Sequence, residues 1–133
     1  MRCGASPCFT IGGTFVAEMV HCVDLWGRDI VLYEDIWEDH IIVGHAIMDG
    51  YEQYIESALT KPDVMTRDAD HANGVNYYRA RALPPPDDRQ YLKVCVRFEI
   101  DSDSGLRSGI IVTMYPTIGV KRSETIIWLR KTS

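Results

Sequence analysis

Two histidines and two strand-like stretches carry the residues best able to do chemistry. His40 and His45 fall in DIWEDHIIVGHAIM, and an imidazole gives and takes a proton near neutral pH without large tuning. Five positions apart, they sit about 140° around an ideal helix, which does not suit one metal ion. In Tyr77-Tyr78-Arg79-Ala80-Arg81, strand alternation places Arg79 and Arg81 on one face. Two guanidinium forks there would suit a phosphate, since arginine binds oxyanions bidentately and keeps its charge. Thr113 and Tyr115 lie in GIIVTMY, a hydroxyl and a phenol in an otherwise apolar run. Thr113 could contact a phosphate oxygen; equally, threonine is an ordinary strand residue. The ordinary alternative for either histidine is a surface position or a satisfied core residue.

Other chemistries find less support. The sequence holds no phosphate loop, dinucleotide fingerprint, Gly-x-Ser-x-Gly elbow or His-Glu-x-x-His. Cys3, Cys8, His21 and Cys22 could be assembled as a metal set, but the Cys3–Cys8 spacing is wrong for a zinc knuckle and no second pair balances it. Cys95, in an apolar alternating run, reads as a small core residue. No metal or cofactor is called for.

The elements that must position these residues follow from pattern. Residues 1–13 are small and Gly-rich and read as a poorly ordered segment; residues 14–133 read as one domain. Thr14 to Val23 and Asp29 to Tyr33 are strand candidates. Asp35 and Glu38 have capping-box spacing at a helix start, and Gly44 weakens that helix in its middle. Tyr51, Tyr54, Ile55, Ala58 and Leu59 form the stripe of a second helix, stopped before Pro62. Strands are then expected at Val64–Arg67, Val75–Arg81, Gln90–Ile100 and Gly109–Tyr115, the last ended by Pro116, with a possible final strand at Thr125–Leu129. In Gln90–Ile100, Leu92, Val94, Val96 and Phe98 share one face, with Lys93, Cys95 and Arg97 on the other. Helices followed by about four antiparallel strands give an α+β class: N-terminal helices packed on a four-stranded antiparallel sheet.

Composition bounds the function. The chain has 133 residues, 46% hydrophobic and 25% charged, with a net charge of -5. That is one globular domain, and the sign disfavours broad nucleic-acid binding. The charge is unevenly spread: residues 1–75 sum to -9 (4 basic, 13 acidic) and residues 76–133 to +4 (10 basic, 6 acidic). An anionic partner would therefore meet the C-terminal part. No apolar run approaches the roughly 18 residues of a membrane span, and the N-terminus lacks a secretory pattern, so a cytoplasmic location is the default.

The run from Gly27 to Met65 resembles phage-encoded members of the barnase–EndoU–colicin–RelE (BECR) nuclease superfamily. The resemblance is carried by Val31-Leu32, Trp37, His40-Ile41, His45, Tyr54-Ile55 and Pro62-Asp63. It continues through Tyr77-Tyr78-Arg79, Leu92 to Phe98, Val112-Thr113-Met114-Tyr115 and Trp128, covering about residues 26 to 128. It implies a RelE-like fold and a metal-independent endoribonuclease, toxin- or phage-associated, in which a 2′-hydroxyl attacks the adjacent phosphate. By carry-over, His40 is the acid or base, His45 a helper or a structural residue, Arg79 the phosphate cation with Arg81 as a second candidate, and Thr113 the hydroxyl contact. Tyr78 or Tyr115 would stack on a base. The second histidine of such members is commonly followed by Pro-Glu; here Ala46-Ile47 follow. RNA, an antitoxin or immunity protein, and a second copy of the chain are the partners this reading implies. A non-catalytic protein- or RNA-binding module on the same fold is the alternative.

Overall fold

The computed structural model describes residues 9–11, 14–100 and 107–131. Strands β1 (Phe9–Ile11) and β2 (Thr14–Val16) pair antiparallel as a separate ribbon. Strands β3 (Glu18–Val23) and β4 (Asp29–Tyr33) form an antiparallel hairpin. A helical segment follows: α1 (Glu34–Ile36), a π-helical turn over Trp37–Ile41, and α2 (Ile42–Gly44). Short 3₁₀ turns at Ala46–Met48 and Glu52–Tyr54 lead into α3 (Ile55–Thr60). The chain then runs through β5 (Val64–Arg67), β6 (Gly74–Ala80), β7 (Tyr91–Ile100), β8 (Arg107–Thr117) and β9 (Thr125–Leu129).

All but the first two strands join one seven-stranded sheet, ordered β3-β4-β8-β7-β6-β5-β9. This corrects the expected architecture. The fold is mostly sheet, and it is mixed, because β4 pairs β8 in parallel through Asp29–Ser108, Ile30–Gly109 and Val31–Ile110. The hairpin precedes the helices and extends one edge; β9 extends the other by pairing antiparallel with β5. The physical reason is burial. Ile30 and Leu32 on β4 are 1% and 0% exposed, so the hairpin has an apolar face that must be covered, and β8 offers its edge. A parallel pair needs a long crossover, which everything between β4 and β8 supplies.

The apolar side of the sheet carries the core. Leu92, Val94, Val96 and Phe98 of β7 pack with Ile111 and Met114 of β8 and Tyr77 of β6. Ile55, Ala58 and Leu59 of α3 close over them, each large side chain contributing roughly 1.5–3 kcal/mol on full burial. Trp37 and Ile41, the ends of the π-helical turn, are also buried. Two details differ from the sequence reading. Asp35 does not cap the helix; the N-cap is Tyr33. Strand β8 continues through Pro116 to Thr117, as an edge position of the ladder allows. Among the described residues no helix is long and apolar enough to cross a membrane.

Candidate functional site

The opposite face of the sheet is polar, and its residues come from alternation. Register places Asn76, Cys95 and Thr113 side by side across β6, β7 and β8, with Tyr78, Lys93 and Tyr115 as the next row. The chain after β8 folds back over this face. Lys121 N points to the Tyr78 hydroxyl at 3.5 Å, and Glu124 is brought beneath, 7% exposed.

Glu124 is the centre of a saturated network. It accepts from Lys93 Nζ at 2.7 Å, Tyr78 Oη at 2.5 Å and Thr66 Oγ1 at 2.6 Å. Asn76 Nδ2 donates to Thr66 Oγ1 at 3.3 Å and to Asp68 Oδ1 at 3.4 Å. Lys93 also lies 5.3 Å from the Tyr78 ring centre and 5.5 Å from that of Tyr115. Burial alone would raise the Glu124 carboxyl, but Lys93, Thr66 and Tyr78 outweigh it and hold it below its ordinary value. Burial would likewise lower the Lys93 ammonium, yet Glu124 and Tyr78 hold it well above the usual range. The Tyr78 phenol is pushed up to about 12, by burial first and by its bond to Glu124 second. Such pairs are strongly coupled because the low local dielectric that penalises a lone charge strengthens the paired one.

Beside this network lies a cleft of about 220 Å³. Its far wall is the loop between β5 and β6. Asp68 accepts from the backbone N–H of Asp70 at 3.0 Å and of His71 at 3.1 Å, an Asx turn of the kind aspartate favours. Burial would raise the Asp68 carboxyl, but these bonds and Asn76 hold it low. The turn aims His71 at β7, where Arg97 Nη2 meets His71 Nε2 at 2.9 Å. A guanidinium only donates, so Nε2 is the acceptor and the ring proton is assigned to Nδ1. Thr113, Tyr115, Lys121 and Cys95 also line the cleft. Burial pushes the Cys95 thiol up to about 12, the unreactive direction for a nucleophile; it lies on the polar face rather than in the core. Among the described residues no three His, Cys, Asp or Glu are grouped to hold a metal. Cys22 points into the core while its neighbour His21 bonds Asp29 at 3.2 Å, so those two do not share a ligand set.

The residues singled out from the sequence do not share one location. Tyr78, Thr113 and Tyr115 meet on the polar face. His45 joins them, its ring stacked on Tyr115 at 4.7 Å. It can reach because β4 covers β8 only as far as Ile110, leaving the rest of that edge to the helical segment. Arg79 belongs to the apolar-side row, paired with Leu92, and donates to the Lys61 carbonyl at 2.6 Å; with Arg130 on the same carbonyl at 3.1 Å, it closes the end of α3. Arg81 leaves the strand altogether. Its φ is 57°, so it does not share a face with Arg79, and it borders a separate cavity with Arg89 and Tyr91. His40 is exposed on the π-helical turn, its side chain without a hydrogen bond or ring contact among the described residues.

His71, Arg97, Lys93 and Glu124 were not singled out. The usable signals are an Asp three residues before a His in a polar loop, and a Lys between aliphatic residues in a strand. No family model, curated protein or solved structure matches the chain.

Proposed function

We propose that the chain is a metal-independent ribonuclease whose catalytic cleft is the polar sheet face. The observation that carries the reading is the His71–Arg97 contact within a cleft that also presents Thr113, Tyr115 and Lys121. This brings together an imidazole, a guanidinium that no carboxylate holds among the described residues, and hydroxyls, which are the parts phosphodiester cleavage requires once Arg97 releases His71 Nε2. In the proposed reaction, Arg97 turns from His71 Nε2 to the phosphate, and the Nε2 lone pair so released takes the proton of an RNA 2′-hydroxyl. The 2′-oxygen forms a bond to phosphorus, and the bond to the 5′-oxygen breaks. His45, at the Tyr115 wall, gives that oxygen its proton. Arg97 and Lys121 hold the charge that builds on the phosphoryl oxygens. The products are a 2′,3′-cyclic phosphate and a 5′-hydroxyl. The resemblance to BECR nucleases supports the reading through His45, Thr113 and Tyr115; it no longer draws on Tyr78, which is fully buried with its hydroxyl on Glu124 and cannot stack on a base, or on Arg79, whose guanidinium is engaged on the other side of the sheet.

Purified protein should cleave RNA in EDTA and leave cyclic phosphate ends. His71→Gln and Arg97→Ala should each slow cleavage by about 100-fold or more. Intact RNA across varied sequences and structures would sink the proposal. One observation favours binding without chemistry instead: Glu124, the most enclosed carboxylate of the face, is wholly occupied by Lys93, Thr66 and Tyr78. RNA retained but uncut would be the outcome of that second reading.

A further inference from the structure

On the apolar side of the sheet, the turn between β3 and β4 builds a second site from one buried carboxylate. Asp24 is 1% exposed. It accepts from Trp26 N at 3.0 Å, Arg28 N at 2.8 Å, Arg28 Nε at 3.0 Å and Tyr77 Oη at 2.6 Å. Arg28 Nη2 also donates to Tyr77 Oη at 3.2 Å. The guanidinium is thereby fixed in position, 4.0 Å over the Phe98 ring and 4.9 Å from that of Trp26. Trp26 is 49% exposed, so the stack presents an indole surface that is immobilised yet open to solvent.

A cavity of about 240 Å³ adjoins this stack, lined by Trp26, Arg28, Arg67, Asn73 and Phe98 among others. No carboxylate lines it, in a chain whose net charge is -5. Arg28 is balanced by Asp24. Arg67 is exposed and its side chain has no hydrogen bond or ion pair among the described residues, so its charge is available to a ligand.

We propose that this cavity binds one base and a flanking phosphate of a single-stranded nucleic acid. Trp26 is the stacking platform and Arg67 the phosphate contact. An indole backed by a guanidinium suits a planar π-ligand, and base–aromatic stacking is tolerant of sequence. The proposal extends the ribonuclease reading and rests on it for the choice of RNA as substrate. The connection is the β5–β6 loop, which stands between the two cavities: Asp68 and His71 line the cleft, Ala72 and Asn73 line the second cavity. A strand passing over that loop from one face to the other would carry a phosphate at Arg97 and, further along, a base at Trp26.

The test uses the full chain and a fluorescently labelled hexadeoxyadenylate, which lacks the 2′-hydroxyl and is not cut by the proposed reaction. Fluorescence anisotropy should show binding at low salt. Trp26→Ala should weaken it about tenfold or more, and Trp26→Phe should restore most of the affinity. Arg67→Ala should weaken binding and reduce its salt dependence. An affinity unchanged in Trp26→Ala overturns the proposal, as does a wild-type chain that ignores the oligonucleotide. Capture of a hexaglutamate peptide in its place also overturns it, and marks the site as a protein contact. Oligonucleotide binding through Trp26 together with uncut RNA removes the ribonuclease reading alone; cleavage with Trp26-independent binding removes this site alone.

Discussion

Glu124 decides more than any other single residue on the polar face. It holds Lys93 at 2.7 Å with both side chains nearly sealed from water, at 5% and 1% exposed. Removing one member of such a pair leaves the other charge without compensation, a loss of about 3–5 kcal/mol. Glu124→Gln should therefore lower the urea midpoint sharply, while Lys93→Met combined with Glu124→Leu should recover much of the loss, because an apolar pair of similar volume substitutes well for a buried ion pair. A double variant as unstable as the single would refute the account. The pH dependence follows from the directions of the shifts. The Glu124 and Asp68 carboxyls are held low, so their stabilisation is present above the ordinary values of about 4.3 for glutamate and about 3.9 for aspartate, and lost as pH falls through the folded values. Lys93 is held high, so its share is present below about 10.4 and lost as pH rises through its raised value. In Glu124→Gln the acid loss should be shallower, with Asp68 supplying what remains. The Lys93 half of this pair was visible in the sequence as the charged position of an alternating strand. Its partner was not, since only the fold-back after β8 brings residue 124 over residue 93. His71 was missed for a similar reason: a polar loop looks uniform until Asp68 fixes its turn and Arg97 supplies something to face.

At the scale of elements, two glycines of the same type predict opposite outcomes. Gly109 lies where β8 is paired on both sides, with Ile30 of β4 and Phe98 of β7. A Cβ there would come within 2.6 Å of Val96 Cγ1 and 2.9 Å of Phe98 Cε1. Gly109→Ala should cost about 1–3 kcal/mol through overpacking, and it should do so by straining the junction that ties the hairpin to the sheet. Gly44, at the end of α2, has open space around its would-be Cβ, and Gly44→Ala should stabilise by up to about 1 kcal/mol. Urea titrations of the two variants check both signs. The strands themselves were legible, because β5 to β8 carry period-two patterns or β-branched runs that local chemistry dictates. How they join was not. The parallel β4–β8 pair links residues 29–31 to residues 108–110, and no local pattern encodes a contact across that separation. The strand-facing assignment of Arg79 and Arg81 failed at one backbone angle, the left-handed φ of Arg81, which ends the alternation at Ala80.

For the whole molecule, the charge balance sets how nucleic acid is held. A net charge of -5 disfavours an affinity built from many phosphate contacts, since each requires a cation and the repulsion of the rest must be overcome. The two cavities present three cations that no carboxylate holds among the described residues: Arg67, Arg97 and Lys121. For single strands the logarithm of affinity falls against the logarithm of salt with a slope of roughly -0.7 per contact, so three contacts give a slope of about -2. Hexadeoxyadenylate binding measured over a salt series should show that value, and Arg67→Ala should bring it to about -1.4. A much steeper slope would mean that cations elsewhere, such as Arg81 and Arg89 beside their own cavity, carry the contact instead. A flat slope would mean that stacking on Trp26 holds the strand without phosphate contacts. The predicted intermediate slope distinguishes an acidic protein with two small basic recesses from one with a continuous basic surface, and it follows from where the cations stand rather than from how many the chain contains.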